Sequence, residues 1–237
     1  KVFRTETISP IQNKVGQFLS NPLIRNIVGQ PRTKFDLSQI MDNGGILIMN
    51  LSKGQIGEDN SSLLGSLMVT ELYLAALRRA KQPEEDRRDF YLYIDELQSF
   101  ATDDFPSILS EARKYRLNMA DMANQFISQL PPNLSSAILG NVGTLIAFAS
   151  GSEDSEILAK EFYPEFRADH ILGLPKHHVY MKLSIDGSTS SPFSAETLPP
   201  IKPLVISPRE KIIGQTRQRY CVGQQSIETN ITKWLGQ

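Results

Sequence analysis

The run Phe90-Tyr91-Leu92-Tyr93-Ile94-Asp95-Glu96 constrains this chain more than any other seven residues in it. Apolar and aromatic side chains lead directly into two adjacent carboxylates, and Leu97-Gln98-Ser99-Phe100 follows. A β-forming run that ends in acid predicts a buried strand with its charge at the carboxyl end. In open α/β sheets that edge is where ligands bind. Two carboxylates there are costly unless something cationic meets them. A Mg²⁺-nucleotide suits the pattern, with Asp95 in the metal's shell and Glu96 polarising the attacking water. The same residues also suit a strand that ends at a solvated acidic turn, and short motifs match by accident often.

The rest of the chain supplies the setting. Its 237 residues suffice for one large domain, or a domain with appendages. A net charge of −1 gives no global basic field, so any contact with nucleic acid must be local. Cys221 is the only cysteine, which excludes an internal disulfide and a zinc site built from several cysteines. That usage is consistent with a reducing cytoplasm. No apolar run approaches the roughly 20 residues needed to span a bilayer. The chain starts at Lys1 without a signal peptide, and reads as a piece of a longer polypeptide.

Periodicity predicts helices over 10–29 (broken at Asn21-Pro22), 35–41, 60–81, 106–115, 133–140 and 153–162. Leu63, Leu64, Leu67, Met68, Leu72, Leu74, Ala75 and Leu77 predict a wide buried face on the long helix. Between the helices lie the apolar runs Ile46–Leu51, Phe90–Asp95, Leu117–Ala123 and Thr144–Ala149. Ile46–Leu51, bounded by glycine, predicts a buried parallel strand. The alternation predicts an α/β fold: a mostly parallel sheet with helices on both faces. From about residue 175 the character changes. His177–Ile185 alternates like an antiparallel edge strand, Gly187–Pro192 predicts a turn, and Phe193-Ser194-Ala195 is placed to pair back. Residues 207–220 and 225–235 predict two helices outside the main core. The expected organisation is therefore 1–175, a partial ATPase-type domain; 176–200, an antiparallel β extension; and 201–237, a helical tail.

Several segments in order carry a more specific resemblance. They are the Asp95-Glu96 strand, Ser110-Glu111-Ala112-Arg113-Lys114-Tyr115-Arg116-Leu117, Ala123-Asn124-Gln125, and Asn141-Val142-Gly143-Thr144. Together they resemble the carboxyl-terminal half of the TraG/TraD-like coupling ATPases of conjugation and type IV secretion, in the HerA/FtsK superfamily. The resemblance runs from about Leu23 to Phe162. It implies a RecA-like P-loop NTPase sheet in which Asp95 is the Walker B aspartate holding Mg²⁺. Glu96 becomes the catalytic glutamate and Gln125 the sensor of the ATP γ-phosphate. A neutral amide suits that role, because it can donate to a phosphate oxygen and accept from the lytic water. Arg113 and Arg116 become candidates to reach a neighbouring subunit's nucleotide, since a guanidinium offers phosphate two parallel donors. The implied partners are DNA, copies of the same chain in a ring (a hexamer in relatives), and other secretion-system proteins. The implied location is cytoplasmic, with the parent at the inner face of the cytoplasmic membrane.

Two departures bear on activity. No G-x-x-x-x-G-K-[ST] stretch occurs, and Lys53, Gly54 and Gly57 stand in the wrong order to cradle phosphates. The Walker A segment is expected upstream, so the fragment alone is expected to be inactive. Ala149-Ser150 stands where relatives usually carry an arginine after the Thr144–Phe148 strand. Asp121 interrupts an apolar strand and needs a cationic partner if buried. Lys53, Arg87, Arg88 and Lys114 are loop or helix-end cations able to meet DNA phosphate, although each equally suits a solvated surface. His170, His177 and His178 have no Cys or Glu at ligand spacing, and no Gly-x-Ser-x-Gly elbow is present. The reading is a DNA-translocating ATPase. The alternatives are a protein-export or pilus-assembly ATPase, or a degenerate ATPase half that acts as an interaction module.

Overall fold

A computed structural model of the chain describes residues 15–16, 19–102, 104–122, 127, 130–203 and 206–236. The chain divides into two compact units, Lys1–Ala75 with Pro203–Gln237, and Ala76–Lys202. The predicted organisation separated the tail from the rest; the described tail instead folds into one unit with the amino-terminal segment.

In the first unit, α1 (Pro22–Val28) starts where Asn21 accepts from the Leu23 N–H, with Pro22 in the first turn. Proline suits that position because its missing N–H has no partner there in any helix. Helix α2 (Leu37–Asp42) is capped by Asp36, which accepts from the N–H groups of Ser38 and Gln39, and it buries Leu37 and Met41. Asn43 closes it through its N–H to Gln39, as the Asn43-Gly44-Gly45 signal predicts. A single turn, α3 (Lys53–Ile56), stands in the predicted 52–58 loop. Helix α4 (Glu58–Arg78) crosses the division between the units. The tail forms α9 (Arg209–Tyr220) and α10 (Gln224–Trp234). Helix α10 packs on α1: Asn26 donates to Glu228 at 3.3 Å, and a Cβ on Gly29 would lie 2.7 Å from Ile231 Cδ1. That close approach requires glycine at the end of α1.

The second unit contains β1 (Phe90–Asp95), α5 (Phe105–Glu111), β2 (Leu117–Met122), α6 (Pro132–Asn141), β3 (Leu145–Ala147), α7 (Ser152–Glu161) and α8 (Ala168–Leu172). Strands β4 (His178–Lys182), β5 (Ser184–Ile185), β6 (Ser188–Thr189) and β7 (Phe193–Glu196) complete it. β1 and β2 are parallel, in register from Phe90 against Leu117 to Asp95 against Met122. β3, β4 and β7 form an antiparallel sheet, with Ile146 opposite Met181 and Tyr180 opposite Ser194. The return of Phe193–Glu196 onto β4 agrees with the sequence expectation. The β5–β6 turn falls earlier than predicted, at Asp186-Gly187, where both residues have positive φ. Asp-Gly suits that two-residue hairpin because its twist matches that of the flanking strands. Behind β3 and β4, Ala147, Leu158, Phe162 and Ile171 form a core cluster. Phe166 stacks on Tyr180 at 3.7 Å between ring centres, and Lys182 pairs with Glu161 at 2.9 Å.

Three expectations are corrected. Ile46–Leu51 forms no strand, and Ile46 and Ile48 are 89% and 81% exposed. An apolar run is only competent to be a strand; without a neighbour for its backbone groups it does not become one. Among the described residues the parallel pairing is confined to β1 and β2, while β3 is antiparallel to β4. The sheet is thus mixed rather than mostly parallel. Finally, the buried face of α4 is the row Ser61, Val69, Leu72, Ala76 and Arg79, whereas Leu63, Leu67 and Leu74 are well exposed. Small residues allow close backbone approach, so the largest side chains did not mark the inner face. No helix among the described residues is long and apolar enough to cross a membrane.

Candidate functional site

β1 delivers its two carboxylates as the sequence predicts, to the carboxyl end of a parallel strand. The strand itself is less buried than expected: Ile94 is buried, while Tyr91 and Tyr93 face solvent. Asp95 is the last strand residue and is exposed. Glu96 is half-buried and adopts the left-handed conformation at φ 55° and ψ 53°. That backbone costs a non-glycine residue on the order of 1–2 kcal/mol. It is held on both sides: Ile94 is buried before it, and Leu97 anchors the short helical turn 97–99 after it. The reversal turns Glu96 out of the strand's alternation directly after Asp95. Two neighbouring carboxylates thus share one sheet edge, with one free in solvent and the other fixed by a strained turn.

One carboxylate at a strand end fits a Mg²⁺ ion that keeps its waters and takes phosphate oxygens; it does not fit an all-protein cage. The register places Met122 beside Asp95, so the chain beyond β2 continues from the same edge. Gln125, the predicted sensor, lies outside the described residues, as does the side chain of Asp121. A residue that sequence reasoning passed over bears on that segment. Asp154, buried in the first turn of α7, accepts from the Ile127 N–H at 2.9 Å. It ties the chain two residues past Gln125 to a helix. An acid in a first helical turn is visible in sequence; its distant partner is not.

The predicted cations gather at the opposite edge. Arg116 precedes β2 and pairs with Asp89 at 3.7 Å, while Asn118 donates to the same carboxylate at 3.0 Å. Six strand residues separate that end from Asp95, about 16 Å at roughly 3.3 Å per step. Arg113 and Lys114 lie on the exposed turn just before Arg116. Arg88 is exposed beside the start of β1. Arg87 has its guanidinium occupied: it donates to the carbonyls of Arg79, Gln82 and Lys114 and lies over the Tyr115 ring at 5.6 Å. Lys53 pairs with Glu58 at 3.3 Å. The structure therefore brings Asp95 and Glu96 together, and sets Arg113 and Arg116 apart from them.

Arg79 was also missed. It is 1% exposed and donates from Nη1 to the carbonyls of Arg88 at 2.9 Å and Tyr115 at 3.0 Å. Those carbonyls immediately precede the two parallel strands, so one guanidinium pins both. The Arg78-Arg79-Ala80-Lys81 run reads as solvated helix-end charge. Its helical register with Leu72 and Ala76 was the signal that Arg79 points inward.

No family model matches the chain, and no curated protein does. Solved structures do match. The bacterial conjugative coupling protein TrwBΔN70, in an unbound monoclinic form, aligns with a TM-score of 0.56 at 18% identity, covering 68% of this chain and 43% of that one. The plasmid coupling protein TrwB in complex with the non-hydrolysable GTP analogue GDPNP aligns with a TM-score of 0.51, at the same identity and coverage. This chain thus spans less than half the length of the coupling protein it matches. Over that span the resemblance drawn from the sequence is upheld, and the chain has the fold of a TraG/TraD-like conjugative coupling protein.

Proposed function

We propose that this chain is part of an ATP-driven motor of conjugation or type IV secretion that moves DNA. The observation that carries the reading is the Asp95-Glu96 pair at the carboxyl edge of a parallel strand, with Glu96 held in a left-handed turn. Similarity in fold to a coupling protein solved with a GTP analogue supports it. Asp95 would hold the Mg²⁺ that accompanies the nucleotide, and that ion would neutralise charge on the phosphates. Glu96, fixed by Ile94 and Leu97, would accept a proton from an attacking water. Gln125 would read the γ-phosphate, with Asp154 steadying its segment through Ile127. The phosphate cradle itself has no counterpart in this sequence and must come from other residues of the working protein. Arg113 and Arg116 would act on a neighbouring subunit's nucleotide, which implies a ring, in relatives a hexamer. Lys53, Arg88 and Lys114 remain candidate phosphate contacts, whereas Arg87 serves the fold. The inner face of the cytoplasmic membrane is the proposed location.

The test is steady-state ATP hydrolysis by a polypeptide that joins this chain to a phosphate-binding loop, with and without DNA. Removing one general base costs about 10²–10⁴-fold. Glu96→Gln should therefore lower turnover by at least about 100-fold while nucleotide binding persists. Unchanged turnover would falsify the assignment. Turnover indifferent to DNA would favour protein export instead.

A further inference from the structure

We propose that the carboxyl-terminal end of α9 carries a contact site for single-stranded nucleic acid, built from Phe35, Tyr220, Lys34, Arg217 and Arg219. The site is separate from the Asp95-Glu96 edge and does not depend on the ATPase reading. Residues 203–237 hold five Lys or Arg against two Asp or Glu, in a chain of net charge −1. Helix α9 concentrates this asymmetry, with four cations, one acid and no buried residue. A helix that buries nothing is not there to fill a core.

The α9 terminus is built from two parts of the first unit. Tyr220 meets Phe35 edge to face, with ring centres 6.4 Å apart. Lys34 brings its ammonium to the Cys221 carbonyl at 3.3 Å, one residue past Tyr220. Arg217 lies one turn before Tyr220 on the same helix, within reach of its ring. Arg219 flanks Tyr220 from the other side. Among the described residues, neither arginine forms an ion pair. Cations at a helix carboxyl end are favourable in themselves, and that accounts for Lys34, Arg217 and Arg219 as charges. It does not account for two aromatic rings, one 41% and the other 38% exposed, held between those charges. Exposed rings interleaved with cations are the chemistry of single-strand binding, in which bases stack and phosphates pair. An acidic peptide would use the cations but has no flat faces for the rings.

The experiment is fluorescence anisotropy of the 237-residue chain, without nucleotide, against a fluorescein-labelled oligothymidylate of about 12 nucleotides. Tyr220→Leu should weaken binding about 5- to 100-fold with the salt slope unchanged, because a stacked base is lost and no charge is. Tyr220→Trp should restore affinity. Replacing Arg217 and Arg219 with Gln should lower the log–log salt slope by about 1.4, from roughly 0.7 per phosphate on a single strand. Circular dichroism should show unchanged helix content in each variant. Absence of saturable binding would overturn the proposal. So would wild-type affinity in Tyr220→Leu with complete displacement by heparin, which is a polyanion without bases. Because the assay contains no ATP, its failure leaves the Asp95-Glu96 assignment untouched, and the converse also holds.

Discussion

Arg79→Met is the most informative single change to the fold that holds the candidate site. The guanidinium is 1% exposed and makes hydrogen bonds of 2.9 and 3.0 Å to the carbonyls that precede β1 and β2. Hydrogen bonds to a charged group contribute about 1.5–3 kcal/mol each, so the two together contribute at least about 3 kcal/mol. Methionine matches the stem in bulk and removes the cost of burying a charge, which returns part of that sum. It also leaves two carbonyls facing a thioether that cannot donate. The net loss should be about 2–4 kcal/mol. The urea midpoint should fall with the m-value unchanged, because the folded state stays compact. Arg79→Lys should recover only part of the loss, since one ammonium replaces a planar fork. The local reading is amide exchange at Phe90, whose N–H donates to the Arg116 carbonyl at 2.9 Å where the two strands begin. Protection there should fall more than protection in α7. A loss under about 1 kcal/mol, or exchange at Phe90 like that of the parent, would refute the view that Arg79 pins the strands.

Asp154→Ala leaves the Ile127 N–H without its acceptor, at 2.9 Å in the parent, and should destabilise the second unit by about 1–3 kcal/mol in urea titration, with faster exchange at Ile127. Gly29→Ala would place a Cβ 2.7 Å from both the Arg25 carbonyl and Ile231 Cδ1, forcing α1 and α10 apart at a cost of about 1–3 kcal/mol, read as a lower thermal midpoint. Hydrogen bonds from Gln224, then Asn26, hold the Glu228 carboxyl below its ordinary pKa of 4.5. A depressed folded pKa contributes stability that is present above pH 4.5 and lost as pH falls through the folded value. Glu228→Gln should therefore flatten the acid limb of the stability profile below pH 4.5 and leave the neutral side parallel to the parent.

What the sequence made legible was whatever depends on near neighbours. The helices over 133–140, 153–162, 207–220 and 225–235 fall within two residues of their predicted ends, because turn residues and periodicity mark them. Asp95 and Glu96 were legible for the same reason: a strand signal and a charge stand side by side. Decisions made by distant partners were not legible. Ile46–Leu51 has the composition of a strand, but pairing is a property of two segments, and one segment's composition cannot supply the other. Arg79 sat in a run of cations that local rules assign to solvent, and only the carbonyls of Arg88 and Tyr115 make its burial possible. Helix α9 was expected outside the main core, and its lack of buried residues agrees. Its companion α10 instead meets α1 through Asn26 and Gly29, residues about 200 positions away in sequence.

The arrangement of charge along the parallel pair limits what its arginines can do. Acid lies at the carboxyl edge, in Asp95 and Glu96; cation lies at the amino edge, in Arg88, Arg113, Lys114 and Arg116. About 16 Å of strand separates them, roughly twice the Debye length at physiological salt, so exposed charges at the two ends barely interact. An arginine side chain cannot span that distance to stabilise charge at the carboxylates of its own strand pair. The Arg116–Asp89 pair is more than two-fifths exposed on each side, and such pairs contribute only about 0–1 kcal/mol, so little opposes its exchange for a phosphate. If Arg113 or Arg116 meets a nucleotide at all, that nucleotide belongs to a second subunit. Placing these cations at the edge away from the acids makes catalysis, on this reading, a property of an assembly rather than of one chain.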